Sequence, residues 1–109
     1  MYIPSRGHFV RINFDPQAGH EQMGNRPALV VSHSRFNQKM GFAVVCPIST
    51  TKRQNPFYVK ISPELKVKGI VMTDQLRSLD FKARKAEFIC ECPDLLLEDV
   101  LRRIKPILF

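Results

Sequence analysis

Short strand-like runs constrain the fold of this chain more than any other feature. Six runs rich in strand-forming residues are spaced along the first 90 residues, each followed by polar loop sequence: 8–14, 28–32, 42–49, 57–62, 69–76 and 86–90. The first run alternates, with Val10, Ile12 and Phe14 on one face, whereas the second and third are continuous apolar stretches typical of central strands. This close spacing in 109 residues predicts one domain, residues 1–109, that is mainly β and folds as a small, strongly bent sheet or barrel.

One helix is predicted, at the C-terminus. Apolar residues recur there at three- and four-residue spacing: Leu96, Leu97, Val100, Leu101 and Ile104. Pro93 suits the first turn, acidic residues precede basic ones as the helix dipole favours, and Pro106 is expected to end the helix. We also expect short helical turns at residues 35–39 and 78–84.

The cysteines do not form a recognisable metal or disulfide motif. The count of three is odd, there is no CxxC, and a zinc site would need Cys46 or one of the scattered histidines to join Cys90 and Cys92. We therefore expect free thiols that pack as small hydrophobes in a reducing compartment, and no metal or other cofactor. Neither a signal peptide nor a run of 18 apolar residues is present, which predicts a cytoplasmic protein without a membrane partner.

Positive charge is concentrated in the body of the chain. Residues 1–90 hold 14 Lys and Arg against 6 Asp and Glu, whereas residues 91–109 hold 3 against 4. A basic body raises the local concentration of polyanions, of which nucleic acid is the commonest. Composition alone is equally compatible with a merely well-solvated surface.

The segment 15–25 (DPQAGHEQMGN) is long for a connection between two strands. A long loop in a small domain is usually functional or disordered. The contents of this one favour function, because they bring together His20, Glu21 and Gln22, an acid–base group, a carboxylate and an amide. Arg26 follows at the root of the loop, and Pro27 biases it to an extended conformation. A guanidinium on a rigid strand suits phosphate binding, but taken alone it fits a structural ion pair with Glu21 or Asp15 equally well.

Two further segments combine polar groups that could carry chemistry. In 47–56 (PISTTKRQNP) the hydroxyls of Ser49, Thr50 and Thr51 precede Lys52 and Arg53, which would form a phosphate cradle or, for at least one hydroxyl, a turn bonded to backbone amides. In 73–75 a carboxylate and an amide precede Arg77 and would orient a base or an arginine. There is no P-loop, GxSxG, HExxH or GxGxxG motif, so these classes of enzyme have no support in the sequence.

The stretch FDPQAGHEQMGNRPALVVS resembles the MazF/PemK family of toxin endoribonucleases, whose members show DPxxGxEQxGxRPxxVxS. The similarity continues through FNQKMGFAVVCPIST, NPFYV and GIVMTDQLRSLDFKAR, so it covers nearly the whole chain. It implies an SH3-like, CcdB-like barrel with a C-terminal helix, a homodimer, and sequence-selective, metal-independent cleavage of single-stranded RNA to 2′,3′-cyclic phosphate and 5′-OH ends. It also implies a cognate antitoxin with an acidic, disordered tail.

By the same resemblance Arg26 matches the catalytic arginine of the family. Ser49 stands where many members have a catalytic threonine, and Thr50 is an alternative. His20 and Asp74 match positions that act in the PemK-like branch, although that branch has an arginine where this chain has Met72. Together with the contents of the polar loops, this gives a hypothesis in which the catalytic residues are Arg26, Ser49, His20 and Glu21. The expected substrate contacts are Gln22, Thr50, Lys52, Arg53, Asp74, Gln75 and Arg77.

Two other functions are compatible with this sequence. CcdB-like proteins share the implied fold but poison gyrase, and a basic barrel can bind RNA without cutting it. The HEQ loop with Arg26 and Ser49 favours the nuclease.

Overall fold

The computed structural model of the chain describes residues 1–15 and 24–109. Within them seven strands form one sheet, in which every pairing is antiparallel. In chain order the elements are β1 (His8–Asn13), β2 (Asn25–Val30), α1 (Ser34–Met40), β3 (Ala43–Ser49), β4 (Tyr58–Lys60), β5 (Ile70–Met72), a 3-10 turn (Thr73–Gln75), β6 (Arg77–Leu79), β7 (Glu87–Glu91) and α2 (Asp94–Leu108). The predicted class, mainly β with a C-terminal helix, is confirmed.

The sheet curls into most of a barrel. Strand β1 pairs with β7 and β2, β2 pairs with β3, and β3 pairs with both β5 and β6. The turn after β6 leads directly into β7, so the strands β7, β1, β2, β3 and β6 follow one another around a ring. In the described ranges no hydrogen-bonded ladder joins β6 to β7, so the ring stays open at that seam.

Two apolar cores lie on opposite faces of the curved sheet, as alternation along the strands requires. The inner core lies inside the ring and comprises Val10, Ile12, Phe14, Ala28, Val30, Ala43, Val45, Leu79 and Phe81. The helix-side core lies between the sheet and α2 and comprises Phe9, Leu29, Val31, Cys46, Ile48, Val59, Ile61, Val67, Val71, Cys92, Val100 and Ile104. Residues one apart on β1, β2 and β3 therefore face different cores.

Several predicted boundaries are wrong for identifiable reasons. Strand β2 begins at Asn25 rather than at residue 28, because its pairing with β1 runs past Pro27 while its pairing with β3 starts only at Ala28. The run 69–76 is not one strand: after Met72 the chain turns, and the buried Thr73 donates hydrogen bonds from its N–H (3.2 Å) and its hydroxyl to the carbonyl of Phe57.

The helical predictions had mixed outcomes. The turn expected at 35–39 is helix α1. Of the helical turn expected at 78–84, residues 78 and 79 belong to β6, and only residues 80–84 form a single turn, in which the N–H of Arg84 donates to the carbonyl of Asp80 at 3.0 Å. Helix α2 does not end at Pro106 but continues to Leu108. A proline this close to the end removes only one backbone hydrogen bond, and the N–H of Phe109 still donates to the carbonyl of Lys105 at 2.9 Å. In the described part of the chain no helix has the length and apolar character needed to cross a membrane.

Candidate active site

Arg26 and Ser49 lie at the same end of the barrel. Arg26 is the second residue of β2 and Ser49 is the last residue of β3. The described pairing of these strands ends at Ala28 opposite Pro47, and Arg26 and Ser49 each stand two residues beyond that pair. Strand alternation places both on the face that forms the inner core. The structure thus brings the two predicted catalytic residues to one open end of the ring.

The Arg26 side chain is half-buried, and its backbone pairs with Ile12 of β1. Among residues 1–15 and 24–109, no carboxylate lies at ion-pair distance from its guanidinium. Asp15, one of the two partners considered from the sequence, instead accepts a hydrogen bond from the N–H of Gly24 at 2.8 Å. The other partner, Glu21, lies outside the described residues.

Ser49 is 8% exposed, and its hydroxyl oxygen accepts a hydrogen bond from the N–H of Thr51 at 3.1 Å. This confirms that at least one hydroxyl of the segment serves a turn. Thr51 does the same for the N–H of Arg53 at 3.2 Å. In the described residues no hydrogen bond has the Ser49 hydroxyl as donor. The amide therefore fixes the oxygen and leaves the proton for an acceptor such as a phosphate oxygen.

A second cation lies on the same face of the barrel. Arg77 pairs with Val45 across β3 and β6, and its guanidinium carbon stands 5.3 Å from the ring centroid of Phe14. Phe14 belongs to the inner core and follows β1, so this contact spans the inside of the ring. The open end consequently carries the positive charges of Arg26 and Arg77.

The loop after β3 adds exposed polar groups to this end. Thr50, Lys52 and Arg53 are exposed, while α2 holds the far end of the loop through a hydrogen bond from Arg103 to the carbonyl of Pro56. Solvent-facing cations beside a buried hydroxyl suit a flexible polyanion.

Asp74 and Gln75 are exposed on the 3-10 turn, which packs against β3, β4 and α2. The charge of Asp74 contributes to the raised pKa of Cys46, a residue of the helix-side core. No described contact joins Asp74 or Gln75 to Arg26 or Ser49. His20, Glu21 and Gln22 lie outside the described residues.

The three cysteines are free thiols, and Cys46 and Cys92 are buried. Burial, with a smaller contribution from Asp74, raises the pKa of Cys46 to about 12, and burial raises the pKa of Cys92 to about 11. Both thiols are therefore protonated at neutral pH and act as core side chains. Within the described ranges no three His, Cys, Asp or Glu side chains are grouped so as to hold a metal ion.

Residues 5–108 match the model of a protein family described as the PemK-like, MazF-like toxin of type II toxin–antitoxin systems. The chain belongs to this family. It is 36% identical over 85 residues to the endoribonuclease toxin MazF of Escherichia coli K12, a match that covers 78% of this chain and 76% of the relative.

Solved structures agree with this MazF-like assignment. A crystal structure of MazF from Deinococcus radiodurans superposes with a TM-score of 0.91 at 42% identity and covers 99% of this chain and 98% of that one. A MazE–MazF crystal structure from the same organism superposes with a TM-score of 0.89 at 42% identity and covers 99% and 97%. The curved MazF barrel is accordingly the fold of this chain.

Two residues that shape the end of this MazF-like barrel were missed from the sequence. The Arg84 guanidinium donates hydrogen bonds to the carbonyls of Asn13 (3.1 Å) and Asp15 (2.6 Å), where β1 ends. Gly69 has a φ of +119°, and a Cβ atom there would stand 2.3 Å from the carbonyl oxygen of Ser49. A glycine before a strand run is a weak signal, and nothing distinguishes Arg84 from Lys82 and Lys85 beside it in the sequence.

Proposed function

We propose that this chain is the toxin of a type II toxin–antitoxin pair and cuts single-stranded RNA without a metal ion. The observation that carries the proposal is the pair Arg26 and Ser49 on one face of one barrel end, with Arg77 on the same inner face of the sheet. Membership of the PemK-like, MazF-like family, which includes endoribonucleases, fits this geometry.

The reaction uses the substrate's own nucleophile. The 2′-oxygen attacks the neighbouring phosphorus while a base removes its proton; the bond from phosphorus to the 5′-oxygen then breaks as an acid protonates the leaving group. The products carry 2′,3′-cyclic phosphate and 5′-OH ends. DNA lacks the nucleophile, so RNA specificity follows from the chemistry.

Each predicted residue has a role in this scheme. Arg26 stabilises the negative charge that develops on the phosphorane, and Ser49, or Thr50 beside it, donates a hydrogen bond to a phosphate oxygen. His20 or Glu21 moves the protons, an assignment that rests on the contents of the loop 15–25 and, for His20, on family resemblance. The remaining substrate contacts are assigned to Gln22, Lys52, Arg53, Asp74, Gln75 and Arg77.

An antitoxin partner is supported by the basic charge of the barrel end and by the family to which the chain belongs. A Deinococcus radiodurans relative was crystallised as a MazE–MazF complex. We propose that an acidic, disordered antitoxin tail binds the basic end of this barrel and blocks RNA entry, since both ligands are polyanions. The site of action is the cytoplasm, where mRNA is available.

A homodimer is supported by the end of α2. Leu108 and Phe109, 60% and 93% exposed, line a groove of about 380 Å³ together with apolar residues that include Val44, Leu76 and Leu101. The groove and the end of α2 thus form one exposed apolar surface, and a second copy that presents the same surface would cover it.

Light scattering checks the dimer. Phe109→Glu should lower the mass towards that of a monomer, whereas Leu95→Glu, at the opposite end of α2 and 83% exposed, should not. A monomeric wild-type protein at tens of micromolar, or a Phe109→Glu variant that stays dimeric, contradicts this interface.

Substrate chemistry tests the nuclease itself. Purified protein is incubated with a single-stranded RNA that contains its cleavage site, with the all-DNA counterpart, and with RNA carrying one 2′-deoxynucleotide at that site. We expect cleavage of the first substrate only. Cleavage of the DNA or of the deoxy-substituted RNA would overturn the mechanism; absence of RNA cleavage, with salt-sensitive binding or trapped gyrase–DNA complexes, would overturn the function.

A further inference from the structure

Arg84 joins two parts of the chain that are far apart in sequence. One nitrogen of its guanidinium donates to the carbonyl oxygens of Asn13 at 3.1 Å and Asp15 at 2.6 Å. In return, the N–H of Asn13 donates to the carbonyl of Arg84 at 3.0 Å. Residue 84 is thereby tied to the last residue of β1 through both its backbone and its side chain.

The turn that carries Arg84 is itself well fixed. The Asp80 carboxylate accepts from the N–H of Ala83 at 2.9 Å, and the Asp80 carbonyl accepts from the N–H of Arg84 at 3.0 Å. Lys85 adopts a φ of +53°, the only positive value for a residue other than glycine in the described ranges. A backbone held in this conformation is costly, and it persists where surrounding contacts enforce it.

The end of β1 is what holds Arg26. The backbone of β2 pairs with β3 only from Ala28 onward, so in the described residues Arg26 is held in the sheet by β1 alone, opposite Ile12. Beyond this pair the ladder reaches only Asn13 and Asn25. The contacts that Arg84 makes at Asn13 therefore act on the last two residue pairs of the ladder, Ile12 with Arg26 and Asn13 with Asn25, which fix the position of Arg26.

The contacts of Arg84 also lie at the base of the loop that precedes Arg26, where the two ends of that loop are hydrogen-bonded to each other. The N–H of Phe14 donates to the carbonyl of Gly24 at 3.1 Å, and the Asp15 carboxylate accepts from the N–H of Gly24 at 2.8 Å. Arg84 holds the carbonyl of Asp15 on the other side. The two ends of the loop are thus joined to each other and to the turn after β6.

We propose that Arg84 is a positioning residue for RNA cleavage, which it supports by holding the strand end that carries Arg26 and not by binding RNA. Its guanidinium is engaged with two carbonyls, so its charge is directed at the protein. The inference rests on the proposed nuclease function.

This role predicts a particular kinetic pattern for Arg84→Ala. A small displacement of Arg26 weakens transition-state stabilisation while leaving most RNA contacts intact, so kcat should fall by about 10- to 100-fold with little change in KM. The salt dependence of RNA binding should match that of wild type, because no phosphate contact is lost. An arginine that contacted phosphate would behave differently: KM would rise, and the slope of log Kd against log salt would change by about 0.7.

Two companion variants make the test specific. Lys82→Ala removes one positive charge from the same turn, where the lysine is exposed, and should leave kcat and KM unchanged. Arg84→Lys keeps the positive charge and one hydrogen-bond donor but loses the planar guanidinium. Its kcat should therefore lie between those of wild type and Arg84→Ala. It also keeps the test informative if Arg84→Ala does not fold, as judged by circular dichroism and thermal melting.

A double-mutant cycle identifies the residue through which Arg84 acts. In an Arg26→Lys background, which keeps a cation at the site, Arg84→Ala should reduce kcat much less than it does in wild type, because the two changes affect one interaction. If the reductions in kcat caused by Arg26→Lys and Arg84→Ala are additive, the proposal is contradicted. It is also contradicted if both Arg84 variants have the kcat of wild type, or if Arg84→Ala lowers the slope of log Kd against log salt. If the wild-type protein does not cut RNA, the proposed function fails; if it does and Arg84 variants behave as wild type, this inference alone fails.

Discussion

Ser49 has the geometry of a fixed hydrogen-bond donor. Its backbone pairs with Ile70, its side chain is buried, and its oxygen is held by the N–H of Thr51 at 3.1 Å. Ser49→Ala should therefore lower kcat for RNA cleavage by about 100-fold, the typical loss for one donor to a developing oxyanion. Ser49→Thr, which supplies the methyl group found in many family members, should retain activity.

Thr50 provides the comparison for this prediction. It is exposed and one residue further along, so strand alternation directs it away from the face of Ser49. Steady-state cleavage of one RNA by Thr50→Ala and Ser49→Ala decides between them. If Thr50→Ala loses more cleavage activity than Ser49→Ala, the phosphate contact is made by Thr50 and not by Ser49.

The buried thiols predict how stability depends on pH. Their ordinary pKa of 9.0 is raised to about 12 in Cys46 and about 11 in Cys92, so the folded state favours the protonated form. The resulting stabilisation is complete below pH 9 and is lost as pH rises through the folded values. Urea unfolding between pH 8 and 11 should show a falling midpoint, and the double variant Cys46→Ala, Cys92→Ala should show a weaker fall; equal pH dependence in both proteins would refute this.

The positions of the candidate site residues were predictable only where local sequence determines them. Pro27 predicts that Arg26 is extended at the root of a long loop, whereas the proposed catalytic roles of Arg26 and Ser49 come from the family resemblance. The position of Arg84 was not predictable, since its partners lie 69 and 71 residues earlier and the turn that presents it has no distinctive pattern. The same limit applies to the contact between Arg77 and Phe14, which requires the curvature of the whole sheet.

At the level of elements, Gly69 lets β5 approach β3 beside Ser49. A Cβ atom at this position would lie 2.3 Å from the carbonyl oxygen of Ser49 and 3.0 Å from its carbonyl carbon. Gly69→Ala should therefore both destabilise the protein and reduce RNA cleavage, because the strand end that carries Ser49 must move.

Gly41 supplies the matched control for Gly69. It ends α1 with a φ of +72°, but among the described residues no atom outside its own helix turn and chain neighbours lies within 4 Å of the Cβ it would gain. Gly41→Ala should cost about 1–2 kcal/mol in unfolding free energy, from the backbone conformation alone, and leave kcat unchanged. Thermal melting and cleavage assays on both variants check this; equal stability losses, or full activity in Gly69→Ala, would show that the close approach is unimportant.

The elements themselves were largely predictable from periodicity, and the exceptions have tertiary causes. Strand β6 has three residues, too few for an alternation pattern, and exists because it pairs with the first half of β3. The 3-10 turn after β5 depends on the bonds from Thr73 to Phe57, 16 residues away. Helix α2 continues past Pro106 because a proline in the last turn removes only one backbone hydrogen bond.

At the scale of the whole molecule, a basic body and one open barrel end together form the site that we propose for RNA. Residues 1–90 carry the excess of positive charge, and Arg26, Arg77, Lys52 and Arg53 belong to this part of the chain. The fold alone does not distinguish a nuclease from a gyrase-directed toxin, because related barrels serve both. The choice between the two functions depends on whether Arg26 promotes cleavage of an RNA phosphodiester.

The most direct test maps the ends of RNA cut by wild type and by Arg26→Ala in excess EDTA. We predict that wild type produces 2′,3′-cyclic phosphate and 5′-OH ends and that Arg26→Ala is slower by at least about 100-fold, in line with the loss of one preorganised charge at the phosphorane. Cleavage that stops in EDTA, ends bearing 5′-phosphate, or undiminished cleavage by Arg26→Ala would contradict the account.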